Sequence, residues 1–288
     1  ALCIVNTRKA ARELFELARE TLDPSAVFHL SARMCPVHRK SKLDEIRKRL
    51  DDHLPCVLIS TQLIECGVDV DFPVVYRELA GLDSIAQAAG RCNRHGERPM
   101  GTVYVFDLEG AHRKGWFGLT AGAAQTVLEH YPDDPLSLEA MQAYFRELYY
   151  YQTLGGKEGT RDLTDKYNIL PLLNERAREL AFPFETVAQL FEWIQTAAKP
   201  VVIGYDEEAR KHLEALKHAA SITGIMRKLQ PYVVQLYPQE FAAFRQAGEI
   251  EEVREGVFRL VNPDRWYRDD IGVRPFSEQL HAEEVYVY

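Results

Sequence analysis

The first 118 residues alternate between short apolar runs and amphipathic segments, and this alternation limits the possible folds more than any other feature. Leu2-Cys3-Ile4-Val5 is an apolar run that stops at Asn6-Thr7. Thr7 stands where an N-cap would open a helix from Arg8 to Glu20, with Ala11, Leu14, Phe15 and Ala18 on one face. Ala26 to Leu30, Cys56 to Ile59, Val74 to Tyr76 and Gly101 to Phe106 read as further strands. Helices are predicted over 36–52, with Leu43, Ile46 and Leu50 turned inward, and over 84–90. Strands that are apolar throughout belong in a parallel sheet covered on both faces. Right-handed crossovers then leave only a few open α/β topologies.

Beyond Lys114 the pattern changes. Residues 119–131 and 137–152 read as helices, the second ending in Tyr149-Tyr150-Tyr151. Those tyrosines could stack on bases, although their helical spacing with Tyr144 and Phe145 favours packing. Gly155-Gly156 and the polar stretch to about Thr164 read as a linker. Helices over 166–180 and 206–219 follow, mixed with strands at 201–203, 232–236 and 257–260. The predicted organisation is therefore an α/β lobe over 1–118, a helical linker over 119–160, and a small α+β accessory domain over 161–288.

Composition narrows the class. No apolar run approaches the roughly 18–20 residues that a membrane span needs, so no membrane partner is expected. The first residues read as a strand and a helix rather than a leader peptide. A chain opening at Ala1 inside a strand reads as a piece of a longer polypeptide. The five cysteines (Cys3, Cys35, Cys56, Cys66 and Cys92) form no C-x-x-C pair, which predicts reduced thiols and no zinc site. His29, His38 and His53 are not spaced as a metal cluster, and His95 reads as a solvated loop residue. The net charge is −8, yet residues 1–118 hold 17 Lys/Arg against 16 Asp/Glu, so the acidity lies in the C-terminal part. Phosphate binding depends on where cations are placed, not on their total.

Chemistry concentrates in two segments. Gln87-Ala88-Ala89-Gly90-Arg91-Cys92-Asn93-Arg94 sets two arginines three apart at the end of a helix, where they are expected to share one side and reach one anion. A guanidinium fork suits phosphate oxygens. An isolated Arg-x-x-Arg would read as a solvated surface pair. About 25 residues upstream, however, Ile59-Ser60-Thr61-Gln62-Leu63-Ile64-Glu65-Cys66-Gly67-Val68-Asp69-Val70 places two hydroxyls at the C-terminal edge of a strand. That edge is where open α/β sheets bind ligands. Gly67 marks a tight turn, and Asp69 is placed to accept from a sugar hydroxyl or to orient an arginine. Asp206-Glu207-Glu208-Ala209 mimics a magnesium-binding box but lies downstream of the arginines, so it reads as a helix N-terminus. No G-x-x-x-x-G-K-[S/T] loop occurs in the sequence.

Taken together these segments resemble motifs V and VI of superfamily 2 helicases, and Asn6-Thr7-Arg8 resembles motif IV. The resemblance narrows to the CRISPR-associated helicase-nuclease of type I interference systems. Ile4-Val5-Asn6-Thr7, Ser60 to Phe72 with its paired Asp69 and Asp71, and Ala89 to Gly96 with Asn93 between the arginines all match that family's second motor lobe. Val187 to Ile194, Leu229 to Val234 and Tyr267 to Val273 look like its C-terminal accessory domain. After the second strand the family often has His-Ser-Arg; here Ser31-Ala32-Arg33 stands, so only Arg33 matches. The pattern looks closest to subtype I-C variants.

The resemblance implies a RecA-like lobe of the P-loop NTPase fold. It implies ATP bound between this lobe and a first lobe, with the phosphate loop and Mg2+ supplied by that first lobe. Arg91 and Arg94 would be the catalytic residues. Gln87, Gly67 and Asp69 would bind nucleotide, and Thr61, Ser60, Arg33, Asn6 and Thr7 would bind DNA. Implied partners are single-stranded DNA, the N-terminal nuclease and first motor lobe of the same protein, and a Cascade-type surveillance complex in a prokaryotic cytoplasm. Such a chain would not hydrolyse ATP alone. The alternatives are a superfamily 2 helicase lobe outside CRISPR systems and a non-catalytic DNA-binding or docking module.

Overall fold

The computed structural model describes residues 1–108, 115–154, 169–177, 179–190 and 198–276. The predicted linker at 155–164 lies outside the described residues, as do the side chains of Tyr150 and Tyr151.

The N-terminal elements are β1 (Leu2–Ile4), α1 (Arg8–Thr21), β2 (Val27–Leu30), α2 (Pro36–Asp51), β3 (Val57–Ser60), β4 (Val74–Glu78), α3 (Leu82–Ala89) and β5 (Thr102–Phe106). The strands form one sheet in the order β2-β3-β1-β4-β5, and every pairing is parallel. Alternate residues of a strand face opposite sides. Leu2, Ile4, Leu58 and Val75 therefore pack with Ile46 of α2 and Ala88 of α3. Cys3, Val57 and Ile59 pack with Ala11 and Phe15 of α1. Leu43 and Leu50 are partly buried against the first of these clusters. Thr7 caps α1 as its sequence position predicts: the Ala10 N–H donates to Thr7 Oγ1 at 3.0 Å.

Four helices follow among the described residues: α4 (Gly115–His130), α5 (Leu138–Leu154), α6 (Ile169–Ala177) and α7 (Phe184–Leu190). In α5, Tyr144 is buried and its hydroxyl donates to Asp83 Oδ1 at 3.0 Å. Tyr149 is exposed and stacks on Phe145.

The C-terminal part comprises β6 (Lys199–Val202), α8 (Glu207–His218), α9 (Thr223–Leu229), β7 (Val233–Leu236), α10 (Pro238–Gln246), β8 (Ile250–Arg254), β9 (Val257–Leu260), α11 (Pro263–Trp266), β10 (Tyr267–Arg268) and β11 (Gly272–Val273). Its main sheet runs β7-β6-β9-β8. Asp206 caps α8, its Oδ1 accepting from the Ala209 N–H at 2.8 Å, so the acidic run is a helix N-terminus. α9, α10 and β8 are short elements that the sequence pattern did not single out.

Contacts group the described residues into two units. The described residues of Ala1–Glu78, Ser84–Glu109 and Ala197–Tyr286 form one compact unit; those of Leu79–Asp83 and Gly110–Thr196 form a second. The C-terminal α+β layer thus shares a core with the lobe. Ile271 packs beside Phe15 and Ile59, and Cys35 packs beside Val201 and Phe244. Polar contacts reinforce this. The Val273 N–H donates to the Arg33 carbonyl at 2.9 Å. The His38 ring bridges Tyr267 Oη (2.8 Å) and the Asp269 carbonyl (2.9 Å). Lys42 reaches Asp269 at 2.7 Å. Gly272 sits at φ +77° with the Arg33 carbonyl so near that an added Cβ would lie 2.2 Å from its oxygen.

Candidate nucleotide and nucleic-acid site

The C-terminal ends of β1, β3 and β4 deliver polar residues to one edge of the sheet. Ser60 ends β3 fully buried, its hydroxyl 3.1 Å from the Leu30 carbonyl and 2.9 Å from the Thr61 carbonyl. Thr61 is buried too, and its N–H donates to Leu30 O at 3.3 Å. Asn6, just past β1, gives its backbone N–H to Glu78 Oε2 at 2.7 Å and accepts at Oδ1 from Arg77 at 2.7 Å. Arg77 is wholly buried in β4 and is tied to Glu65 at 2.8 Å and to Ser84 Oγ at 2.9 Å. Ser84 in turn donates to Glu65 Oε2 at 2.7 Å. Burial draws the Arg77 guanidinium below its ordinary range, while Glu65 and Glu78 counter that shift. Removing one partner of such a buried pair leaves an uncompensated charge, and the contacts of Arg77 join β1, β4 and the segment after β3.

The arginine segment follows α3. The helix stops at Ala89, because Gly90 and Arg91 close its last turn on Ala86 and Ala88. The expectation that Arg91 and Arg94 share one side of a helix end is corrected here. Arg91 is 8% exposed and donates from Nε to the Ile64 carbonyl (3.1 Å) and from Nη2 to the Glu65 carbonyl. Arg94 lies past a parallel bridge between Phe72 and Cys92. Its side chain is 42% exposed and gives Nε to Asp69 Oδ1 at 2.9 Å. The two charges still sense each other: burial and then Arg94 lower the affinity of Arg91 for its proton.

Two backbone features shape the turn around Arg94. Asn93 adopts φ +48°, its side chain bracketing Arg98 with hydrogen bonds of 2.7 and 3.0 Å. Asp71 accepts from the Arg94 N–H at Oδ1 (2.8 Å) and from the His95 N–H at Oδ2 (3.3 Å). His95 also lies within 3.7 Å of Asp69 and 3.6 Å of Asp71. An open pocket of about 470 Å³ adjoins them, lined by Arg47, Asp69, Asp71, His95 and Arg98 among others.

Among the other expected residues, Gln87 lies near the arginines and accepts from the Cys66 thiol at 2.8 Å. Gly67 takes φ +70° with open space where a Cβ would be, so conformation rather than crowding calls for glycine. Arg33 is a second correction. Its guanidinium is 5% exposed, chelates the carboxylate of the equally buried Glu240, and donates from Nε to Val273 O at 2.6 Å. That side chain ties the C-terminal layer to the lobe and is closed off from a DNA phosphate. Sequence reasoning missed the roles of Glu65, Arg77 and Asp71. An arginine inside the apolar run of β4 was the visible signal for the first two.

No group of three or more His, Cys, Asp or Glu able to hold a metal ion occurs among the described residues, and no described helix is long and apolar enough to cross a membrane. All five cysteines are free thiols.

Comparison with known proteins adds to this geometry. The family model described as CRISPR-associated nuclease/helicase Cas3, C-terminal, matches residues 1–97. The CRISPR-associated nuclease/helicase Cas3 of Haloferax volcanii is 46% identical over 81 residues, which is 27% of this chain and 9% of that protein. The crystal structure of T. fusca Cas3 with ADP superposes with a TM-score of 0.56 at 14% identity, covering 90% of this chain and 35% of that one. A structure described as a CRISPR RNA-guided surveillance complex, pre-nicking, contains a chain that superposes at 0.52 with 15% identity, covering 90% of this chain and 37% of that one. The chain thus spans little more than a third of those solved chains. Residues 1–97 are thus similar to the C-terminal domain of the CRISPR-associated nuclease/helicase Cas3, and the chain shares the α/β fold of the solved Cas3 chains.

Proposed function

We propose that this chain supplies the arginine-bearing half of an ATPase site, and one wall of a single-stranded DNA track, in a type I CRISPR helicase-nuclease. The observation that carries this reading is Arg94. Its guanidinium is half exposed beyond the sheet edge and is held by Asp69 on a turn that is itself fastened to 69–72. Arg94 would leave Asp69 for the γ-phosphate of ATP once a first lobe presents the nucleotide, and would neutralise charge developing in the transition state. Arg91, committed to the carbonyls of Ile64 and Glu65, would add positive potential and hold the start of the arginine segment. Gln87 and Gly67 would line the nucleotide's path. Thr61, Ser60, Asn6 and Thr7 stand at the sheet edge, where a DNA backbone would pass.

Any Mg2+ that accompanies ATP would be held mainly by the other lobe. The nuclease and first motor lobe would precede this region in the same polypeptide. A Cascade-type complex would deliver the strand, a reading supported by the structural neighbour seen in an RNA-guided surveillance complex. The cell compartment would be the prokaryotic cytoplasm.

The test is reconstitution. Purified chain mixed with the phosphate-loop half is expected to restore DNA-stimulated ATP hydrolysis that neither shows alone. Arg94→Ala should lower turnover by about 10³-fold or more with DNA affinity little changed. Restored hydrolysis indifferent to Arg94, or no hydrolysis in any mixture, would leave a docking module as the better description. Activity that ignores a surveillance complex would point to a helicase outside CRISPR systems.

A further inference from the structure

We infer that Asp71 is a positioning residue for Arg94. This rests on the ATPase reading above and goes one residue deeper into the same site. The Asp71 carboxylate is 10% exposed, and its nearest ion-pair partner among the described residues is the His95 ring at 3.6 Å. Its oxygens accept instead from two successive backbone N–H groups, Arg94 at 2.8 Å and His95 at 3.3 Å. A charged acceptor on backbone N–H groups makes a short, directional bond of roughly twice the strength of a neutral one. Beside it, the Phe72 N–H donates to the Arg91 carbonyl at 2.9 Å and the Asn93 N–H donates to the Phe72 carbonyl at 3.0 Å. The backbone of 91–95 is thereby zipped to 71–72 at four points, of which only the Asp71 pair lies at and beyond Arg94.

The division of labour between the two aspartates follows. Asp69 holds the Arg94 side chain through Nε and is 67% exposed. That contact can be exchanged for a phosphate at little cost, because an exposed ion pair is worth only about 0–1 kcal/mol. Asp71 holds the Arg94 main chain and stays in place when the side chain lets go. One carboxylate therefore parks the guanidinium and the other fixes the pivot from which it swings. Without the pivot, Asn93 in its left-handed conformation and Gly96 at φ +67° leave the turn free to re-aim. A misplacement of about 1 Å is enough to lose on the order of 10²-fold in rate.

The experiment is a double-mutant cycle in the reconstituted enzyme. Asp71→Ala is expected to lower kcat by about 10–10²-fold, with KM for ATP and affinity for DNA within about 3-fold of the parent. Asp71→Asn, which keeps an acceptor for the Arg94 N–H, should recover most of that loss. Asp71→Ala/Arg94→Ala should be no slower than Arg94→Ala, because a pivot has no effect without the group it aims. A double variant slower than Arg94→Ala by the full Asp71→Ala factor, or an Asp71→Ala enzyme at parental kcat, overturns the assignment. The Arg94 Nε–H resonance of the full chain, observed without nucleotide, separates this from the ATPase reading. It should shift on Asp71→Ala and hold on Asp71→Asn even if Arg94 proves irrelevant to hydrolysis. An unmoved resonance in Asp71→Ala sinks the positioning role alone.

Discussion

Arg91 gives two donors to the carbonyls of Ile64 and Glu65 from a site that is 8% exposed. Arg94 makes its ion pair with Asp69 in water. Removing a partner from buried polar groups leaves them unsatisfied, whereas an exposed pair contributes little. Arg91→Ala should therefore lower the unfolding free energy by about 1–3 kcal/mol, and Arg94→Ala by less than about 1 kcal/mol, as measured by urea denaturation. Equal losses would mean that burial does not separate the two. The arginine pair stood out in the sequence because guanidinium forks suit phosphate. The difference between its two arginines was not legible, since it depends on which carbonyls the segment after β3 happens to present.

At the scale of elements, β11 joins the C-terminal layer to the lobe. Its two residues pair with β10, and the Val273 N–H reaches across to the Arg33 carbonyl at 2.9 Å. The approach is possible because Gly272 has no Cβ, where one would meet the Arg33 carbonyl oxygen at 2.2 Å. Gly272→Ala should therefore destabilise the chain by at least about 2 kcal/mol, combining the positive φ with the clash. Thermal unfolding of the variant beside Gly256→Ala separates the two causes. Gly256 has φ +74° with nothing near its missing Cβ, so only the backbone strain should register there. The helices and parallel strands of the lobe were readable from hydrophobic periodicity. The short α9 and α10 and the two-residue β10 and β11 were not, because elements of that length carry little periodic signal.

At the scale of the whole molecule, His29 makes stability depend on pH with a defined sign. His29 is 3% exposed within β2 and its Nδ1 has no hydrogen-bond partner among the described residues. Burial, ahead of the opposing influence of Asp270, lowers it to about 4 from an ordinary 6.5. The folded chain therefore keeps His29 neutral while the unfolded chain takes up a proton below pH 6.5. The unfolding free energy should fall as pH drops through 6.5 and stop falling on this account near 4, a loss of about 3 kcal/mol. Denaturation of the parent and of His29→Gln across pH 4–7 isolates the effect as the difference between the two curves. Parallel curves would show that His29 is not the group responsible.

From the sequence alone came the parallel α/β lobe, the N-cap at Thr7, and the pairing of a strand-end Ser-Thr with a downstream arginine segment. Each is assembled from local signals: a single period, cap or motif segment is complete within about twenty residues and needs no knowledge of what it faces. Only the tertiary structure decided that Arg33 ties two layers together, that Arg77 is a buried anchor, and that Asp71 holds the backbone of Arg94. Those roles join residues far apart along the chain, and a charged side chain reads the same in sequence whether its partner is solvent, a carboxylate or a carbonyl.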